Sequence, residues 1–229
     1  MEQHANYSTV ETPLPNLAPG RNYYSNVRHE MVPFLPDRYS RVLEVGCGEG
    51  VFSTLLSQPY EMWGIEPEPE SAARAASVLH KVLVGRFDEV SADLPAQYFD
   101  LVVCNDVIEH LPDPEVFLRS VARCMTPGAH LIASIPNMRH WEVLVQLLAN
   151  KDWRYGRDGI MDRTHLRFFT EKSIKRLFQE TGFDIERVSG INGAFDPVRR
   201  WVLQAFSALT LGYYSDIQYR QFGLLVRLR

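Results

Sequence analysis

The residues best placed to do chemistry begin where an apolar run, Arg41-Val42-Leu43-Glu44-Val45, leads into Gly46-Cys47-Gly48-Glu49-Gly50. Glycines behind a strand allow a tight turn and let a ligand approach the backbone without meeting a Cβ. A helix expected from Val51 would present unpaired N–H groups suited to a carboxylate or phosphate. Glu44 sharpens the reading, because a carboxylate inside an apolar strand is costly unless loop N–H groups or a cationic amino group meet it. The spacing is GxGxG, whereas a dinucleotide fingerprint would need a glycine where Val51 stands. A second acid, Glu66, closes the run Glu61-Met62-Trp63-Gly64-Ile65. It is placed to accept both hydroxyls of a ribose, or to cap the helix that follows.

Further along, Gly85-Arg86-Phe87-Asp88 ends a third apolar run where the base of a nucleoside would lie. Phe87 would either stack on that base or belong to the core. A fourth run ends in Asn105-Asp106-Val107-Ile108-Glu109-His110-Leu111-Pro112-Asp113-Pro114. His110 and His165 are the candidate proton acceptors, with Asp162 a candidate partner for orienting an imidazole. Glu109 reads as structural. No metal is expected, since Cys47, Cys104 and Cys124 show neither CxxC spacing nor a histidine at zinc-ligand distance.

The elements that must hold these residues alternate. Apolar strands are expected at 41–45, 61–65, 81–84, 99–104 and 129–135, with helices at 51–56, 68–79 and 114–125 between them. Near-continuous apolar strands separated by helices indicate a parallel sheet buried on both faces, with ligands beyond the carboxyl ends of its strands. A helix at about 23–32 precedes the sheet. Residues 137–170 form a polar, aromatic-rich insertion, followed by a helix at 171–180. Strands at 183–188 and 222–226, joined through a helix at about 197–211, would make an antiparallel edge hairpin. Residues 1–20, broken by Pro13, Pro15 and Pro19, read as a flexible tail ahead of one domain at 21–229.

Composition bounds the function. The 229 residues are 45% hydrophobic and 23% charged, with net charge −4, so a packed core is expected and a phosphate-gripping nucleic-acid binder is not. Three scattered cysteines and a start without signal-peptide character predict a cytoplasmic location. No apolar stretch approaches the ~18 residues of a membrane span. The helix around Trp201-Val202-Leu203-Gln204-Ala205-Phe206 allows at most peripheral membrane contact, with a core role favoured.

The glycine loop, Glu66 and the segment Asn105–Pro114 together resemble class I S-adenosylmethionine-dependent methyltransferases, over roughly residues 23–190. The resemblance implies a Rossmann-like, seven-stranded, mostly parallel sheet with helices on both faces. It implies that Glu44 and the loop residues Gly46, Cys47, Gly48 and Gly50 surround the methionine part of S-adenosyl-L-methionine. Glu66 would hold the ribose, Arg86 and Phe87 would flank the adenine, Asn105 and Asp106 would line the floor, and Arg28 would pair with the methionine carboxylate. Glu44 stands where aspartate is more usual. Arg86 stands where many members carry an aspartate for the adenine amino group, which leaves that contact to Asp88 or the backbone.

A narrower resemblance runs through Ser134-Ile135-Pro136-Asn137 and Gly159–Thr170, which is similar to bacterial methyltransferases of surface-polysaccharide gene clusters. It implies a hydroxyl of a sugar or glycan precursor as acceptor. Arg154, Arg157, Arg163 and Arg167, interleaved with Trp141, Trp153 and Tyr155, suit a phosphorylated or acidic sugar. The alternatives are a quinone or lipid precursor, because that group shares the Glu-His-Leu turn, and a non-catalytic cofactor-binding partner.

Overall fold

A computed structural model describes residues 27–57, 60–193 and 196–229. The expected tail and the first residues of the expected leading helix lie outside them. Among the described residues, strands β1 (Arg41–Val45), β2 (Glu61–Glu66), β3 (Lys81–Val84), β4 (Phe99–Asn105), β5 (Met125–Pro136), β6 (Phe183–Gly193) and β7 (Tyr219–Leu228) form one sheet. Its order is β3-β2-β1-β4-β5-β7-β6. The pairs from β3 to β5 are parallel, while β7 runs antiparallel to both β5 and β6. The winding therefore reverses between β1 and β4, and the carboxyl ends of these two strands frame the crevice where such sheets bind ligands.

The central strands of the sheet are buried on both faces, as their continuous apolar runs require. Strand side chains alternate between faces. Val42, Met62, Leu101, Val103 and Ile132 pack on one face with Met31, Phe34, Phe52 and Ala75. Leu43, Ile65, Val102 and Leu131 pack on the other with Phe117, Leu118, Ile174 and Phe178. The helices covering the sheet include α1 (Pro69–Ala75), the short α2 (Phe87–Val90) and α3 (Pro114–Cys124).

Two expected helices are 3₁₀ turns among the described residues, and the one expected at 68–79 is helical only over Pro69–Ala75. Ahead of β1 a 3₁₀ turn spans His29–Phe34, with Pro33 inside it. Behind the glycine loop, Val51–Leu55 is likewise a 3₁₀ turn. There Ser53 Oγ donates to the Gly50 carbonyl at 2.6 Å and Thr54 Oγ1 to that of Val51 at 2.8 Å. These hydroxyls compete for the carbonyls a longer helix would use. The loop is thus followed by a single turn and not by the helix N-terminus the sequence led us to expect.

The insertion contains a helix the sequence reading missed, α4 (Trp141–Leu148), and is followed by α5 (Glu171–Glu180), which Thr170 caps. Asn137 fastens the insertion to the sheet. Its Nδ2 donates to the carbonyls of Asp216 and Tyr219, and its Oδ1 accepts from the Arg139 N–H.

The last helix, α6 (Pro197–Leu209), corrects an expectation. None of its residues is buried, and Trp201 is 69% exposed. It leans on α4 through Arg199, whose guanidinium lies 4.6 Å from the Trp141 ring centre. A core role for the 201–206 segment is therefore excluded. Among the described residues no helix is long and apolar enough to cross a membrane. Trp201→Ser is expected to leave stability within about 0.5 kcal/mol of the parent. Phe183→Ala, which empties a fully buried site, is expected to cost ~3–5 kcal/mol. Urea denaturation of both variants checks the pair.

Candidate active site

Glu44 and Glu66 project from β1 and β2 beneath the glycine loop, and both are almost wholly buried. Their environments differ. Glu66 Oε2 accepts the Gly48 N–H at 2.9 Å and Oε1 accepts the Glu68 N–H at 2.9 Å. Glu44 Oε2, by contrast, is buried without a hydrogen-bond partner. Of the two partners expected for Glu44, loop N–H groups or a cationic amino group, the first is thereby removed: the Gly48 N–H goes to Glu66. Burial, with the Glu66 carboxylate next, holds the Glu44 carboxyl well above the ordinary carboxylate range. Burial also raises Glu66, against the pull of its two N–H donors.

The rest of the loop is turned on itself. Gly46 and Cys47 donate to the Ile65 carbonyl at 2.8 and 3.1 Å, and Gly50 donates to that of Cys47 at 2.8 Å. Gly46, Gly48 and Gly50 all have positive φ, a conformation costly to residues with a Cβ. Cys47 is buried against Gly64, where a Cβ would lie 2.5 Å from its sulfur, and burial pushes its thiol pKa up.

At the end of β4, Asn105 presents Oδ1 and Nδ2, both buried and without partners. Asp106 is held at φ +54 by bonds from its N–H to Ser134. Its carboxylate binds Arg28, accepts from Ser134 Oγ at 2.9 Å and from Gln221 Nε2 at 2.6 Å. Arg28 also pairs with Glu30 at 2.8 Å and donates to Ser134 Oγ at 2.9 Å. Arg28 and Asp106 thus hold each other. Ser134 and Gln221 are members that the sequence reading did not find.

Of the two places expected of Phe87, the structure shows the core. Phe87 is buried in the core, edge-on to Phe117 with ring centres 4.8 Å apart. Arg86 is half-exposed and ion-paired with Asp88 at 3.3 Å.

The 3₁₀ turn at Ile108–His110 meets the insertion. The carbonyl of Glu109 accepts the N–H groups of Leu166 and Arg167 at 2.8 and 3.0 Å. This clamp brings the His110 and His165 rings edge to face, centres 4.7 Å apart. Nδ1 of His110 faces the Thr164 carbonyl at 3.2 Å, and Nδ1 of His165 faces that of Ile160 at 3.0 Å. A carbonyl only accepts, so each Nδ1 carries the hydrogen and each Nε2 keeps its lone pair. Burial, then the neighbouring His165, lowers the His110 pKa. Asp162 does not orient either ring through a hydrogen bond. Its Oδ1 accepts from the N–H and hydroxyl of Thr164, both at 2.7 Å, so it shapes the turn while the backbone carbonyls fix the imidazoles.

A family model described as a methyltransferase domain matches residues 20–188. The chain belongs to the methyltransferase domain family. Its sequence is 33% identical over 113 residues to a ubiquinone biosynthesis O-methyltransferase of Proteus mirabilis, covering 46% of each chain. To the protein of that name from Aeromonas salmonicida it is 26% identical over 162 residues, 67% of each chain. A probable S-adenosylmethionine-dependent methyltransferase of Mycolicibacterium smegmatis is 28% identical over 187 residues, 80% of this chain and 67% of that one. The chain spans about half to two thirds of the length of the curated relatives it matches. Its fold matches an S-adenosylmethionine-dependent methyltransferase structure from Archaeoglobus fulgidus, with TM-score 0.63, 16% identity and coverage of 86% of this chain and 90% of that one.

Family and fold imply S-adenosyl-L-methionine as the cofactor of this methyltransferase domain. The residues present fit it. The unpartnered Glu44 carboxyl suits a protonated amino group, and the unpartnered Asn105 amide suits a ligand that both donates and accepts. At Gly46 a Cβ would lie 3.0 Å from the Val107 side chain, so this glycine lets the loop pack closely against the segment that follows β4.

In the free protein a buried Glu44 retains a proton that the unfolded chain has released above the ordinary carboxylate range. Folding stability therefore falls as pH rises from about 4.5 toward the raised folded value, by up to about 1.4 kcal/mol per pH unit. Glu44→Gln escapes that loss. Its melting temperature should gain on the parent's as pH rises from about 4.5 to 7.5, while cofactor binding is lost; an offset independent of pH in thermal melts would contradict the assignment. Glu66→Ala should weaken cofactor binding by at least ~1 kcal/mol in calorimetry. Unchanged affinity would remove Glu66 from the ribose.

Proposed function

We propose that this protein methylates a hydroxyl oxygen of a small molecule, first among candidates a hydroxylated aromatic precursor of a quinone. The observation that carries the reading is the pair of Nε2 lone pairs that His110 and His165 present beside the end of β4. When bound, S-adenosylmethionine supplies a methyl group already activated by its sulfonium. What remains for the chain is to align the acceptor oxygen, exclude water and receive the hydroxyl proton. A neutral imidazole with a free Nε2 receives that proton as the oxygen–methyl bond forms. The low His110 pKa favours the neutral ring.

The names of the ubiquinone relatives support the quinone class, and so does the exposed apolar side of α6. Val198, Trp201, Val202 and Leu209 there stand in solvent beside α4, whose Val145 and Leu148 are exposed too. An apolar surface of this kind fits an acceptor with a lipid tail. A second reading, a sugar or glycan precursor, rests on a different feature. Trp153, Arg154, Tyr155 and Arg163 line an open cleft of about 620 Å³ in the insertion, a lining suited to an acidic sugar.

Release of S-adenosylhomocysteine from hydroxylated aromatics, nucleotide sugars and glycan fragments separates the readings. Turnover confined to the aromatics is expected; turnover confined to sugars would move the acceptor to the second class. With the active acceptor, His165→Ala is expected to lower kcat by about a hundredfold or more while leaving cofactor affinity unchanged. Undiminished turnover would remove His165 from the reaction.

A further inference from the structure

His140 stands at the N-cap of α4, is 3% exposed, and keeps Nδ1 buried without a hydrogen-bond partner. A polar atom in that state calls for a partner that the chain does not supply. The ring does not cap the helix. The N–H groups of Trp141, Glu142 and Val143 in the first turn are therefore left without a side-chain acceptor.

Two guanidinium groups close on the same point, Arg199 from α6 and Arg220 from β7. Glu142 Oε2 lies 3.7 Å from His140 Nδ1 and 3.9 Å from Arg220 Nη1, and its Oε1 lies 4.0 Å from Arg199 Nη1. All three separations exceed hydrogen-bond range, so the carboxylate stands among three donors and is bonded to none of them. Two guanidiniums thus face one carboxylate. Their neighbours do not alter the balance: Arg139 is taken by Asp216 at 2.6 and 3.1 Å, and Asp196 accepts the Arg199 N–H as the cap of α6. Burial, then Arg220 and Arg199, hold the His140 pKa down to about 4, so the ring is neutral and has one hydrogen to donate. Both arginines and Glu142 are about half exposed, and ion pairs of that kind add little stability. Glu142 is free to turn into solvent when a better anion arrives.

We propose that His140, Arg199 and Arg220, with the first N–H groups of α4, bind the phosphate group of a phosphate ester in place of the Glu142 carboxylate. Guanidinium forks and the open end of a helix are both donors that suit phosphate oxygens. The position gives the site a use. A Cβ at Gly159 would lie 3.5 Å from Arg220 Nη2, and the next residue, Ile160, fixes the His165 ring through its carbonyl. A phosphate held here lies beside the segment that positions His165, and it anchors one end of a ligand whose body extends along the insertion. The inference goes beyond the O-methylation reading, because binding at this place needs neither the cofactor nor a hydroxyl.

The full chain, isotopically labelled, is titrated with sodium phosphate in physiological salt, which screens unspecific attraction, and amide NMR shifts are followed. Saturating shifts are expected at Trp141 and Glu142, with about tenfold weaker binding in Arg220→Gln and in Arg199→Gln. Glu142→Gln removes the competing carboxylate and is expected to bind phosphate about threefold more tightly. Thermal melts confirm that each variant is folded; should Arg220→Gln not fold, the half-exposed Arg199 carries the comparison. No saturating shift at the start of α4, equal affinity in the parent and the folded arginine variants, or binding by Glu142→Gln no tighter than the parent's overturns the site. Uridine diphosphate glucose and vesicles containing phosphatidic acid then separate a soluble ester from a lipid phosphate, the source being the one that binds more tightly than inorganic phosphate. If neither does, the anchoring role fails.

Discussion

Holding carboxyl groups out of water at the carboxyl edge of the sheet is the constraint on which the rest of this structure turns. Glu44, Glu66 and Glu109 are all almost fully buried, at the ends of β1 and β2 and just beyond β4. An acid in such surroundings must be bonded, neutral or matched to a ligand. Glu66 is bonded, and its hold on Gly48 ties the glycine loop to β2, so that Glu66 fixes the loop it stands beside. Glu44 and Glu109 keep unpartnered oxygens, and these two positions mark where the molecule is incomplete as a bare chain.

A second network carries the strain of the crevice. Asp106 adopts a left-handed backbone that few residues tolerate without a β-carbon penalty, and bonds from Arg28, Ser134 and Gln221 hold it there. These partners come from the segment before β1, from β5 and from β7. Asn192 on β6 adds a bond to Gln221 at 2.7 Å. The antiparallel strands at the far edge therefore reach back to fix the residue that follows β4. The hairpin is part of the site's support as well as a sheet edge.

The sheet was legible in the sequence because each central strand is an apolar run that must be covered on both faces, and alternate residues such as Val42 and Leu43 do pack on opposite faces. The turn from Asn105 to Pro114 was legible as a unit because its residues are contiguous. What the sequence left open depended on side chains choosing partners across the fold. The N–H of Gly48 chose Glu66 over Glu44, Arg28 chose Asp106, and Phe87 chose Phe117. Spacing along the chain holds no record of such choices. The helix after the loop failed for a local reason, since Ser53 and Thr54 bond back to the carbonyls a helix would need. Glu109 was read as structural because its lack of partners becomes visible only in three dimensions.

The two halves of the site are built in different ways, and this bears on how the acceptor is chosen. The cofactor side lies on strand ends whose side chains interlock with the main core, so a change there disturbs the sheet. The acceptor side is fastened to that core by few bonds, chiefly the Glu109 carbonyl and the Asn137 amide, around a small apolar cluster of Val143, Ile160 and Met161. Residues between those anchors can be exchanged with little cost to the sheet. His165 is the exception, because its ring is fixed by Ile160 inside the insertion while its Nε2 lies with the histidine that follows Glu109. Under the proposed reaction, acceptor recognition can therefore vary along the cleft of the insertion, whereas the atom that would handle the acceptor hydroxyl must stay where the two halves meet.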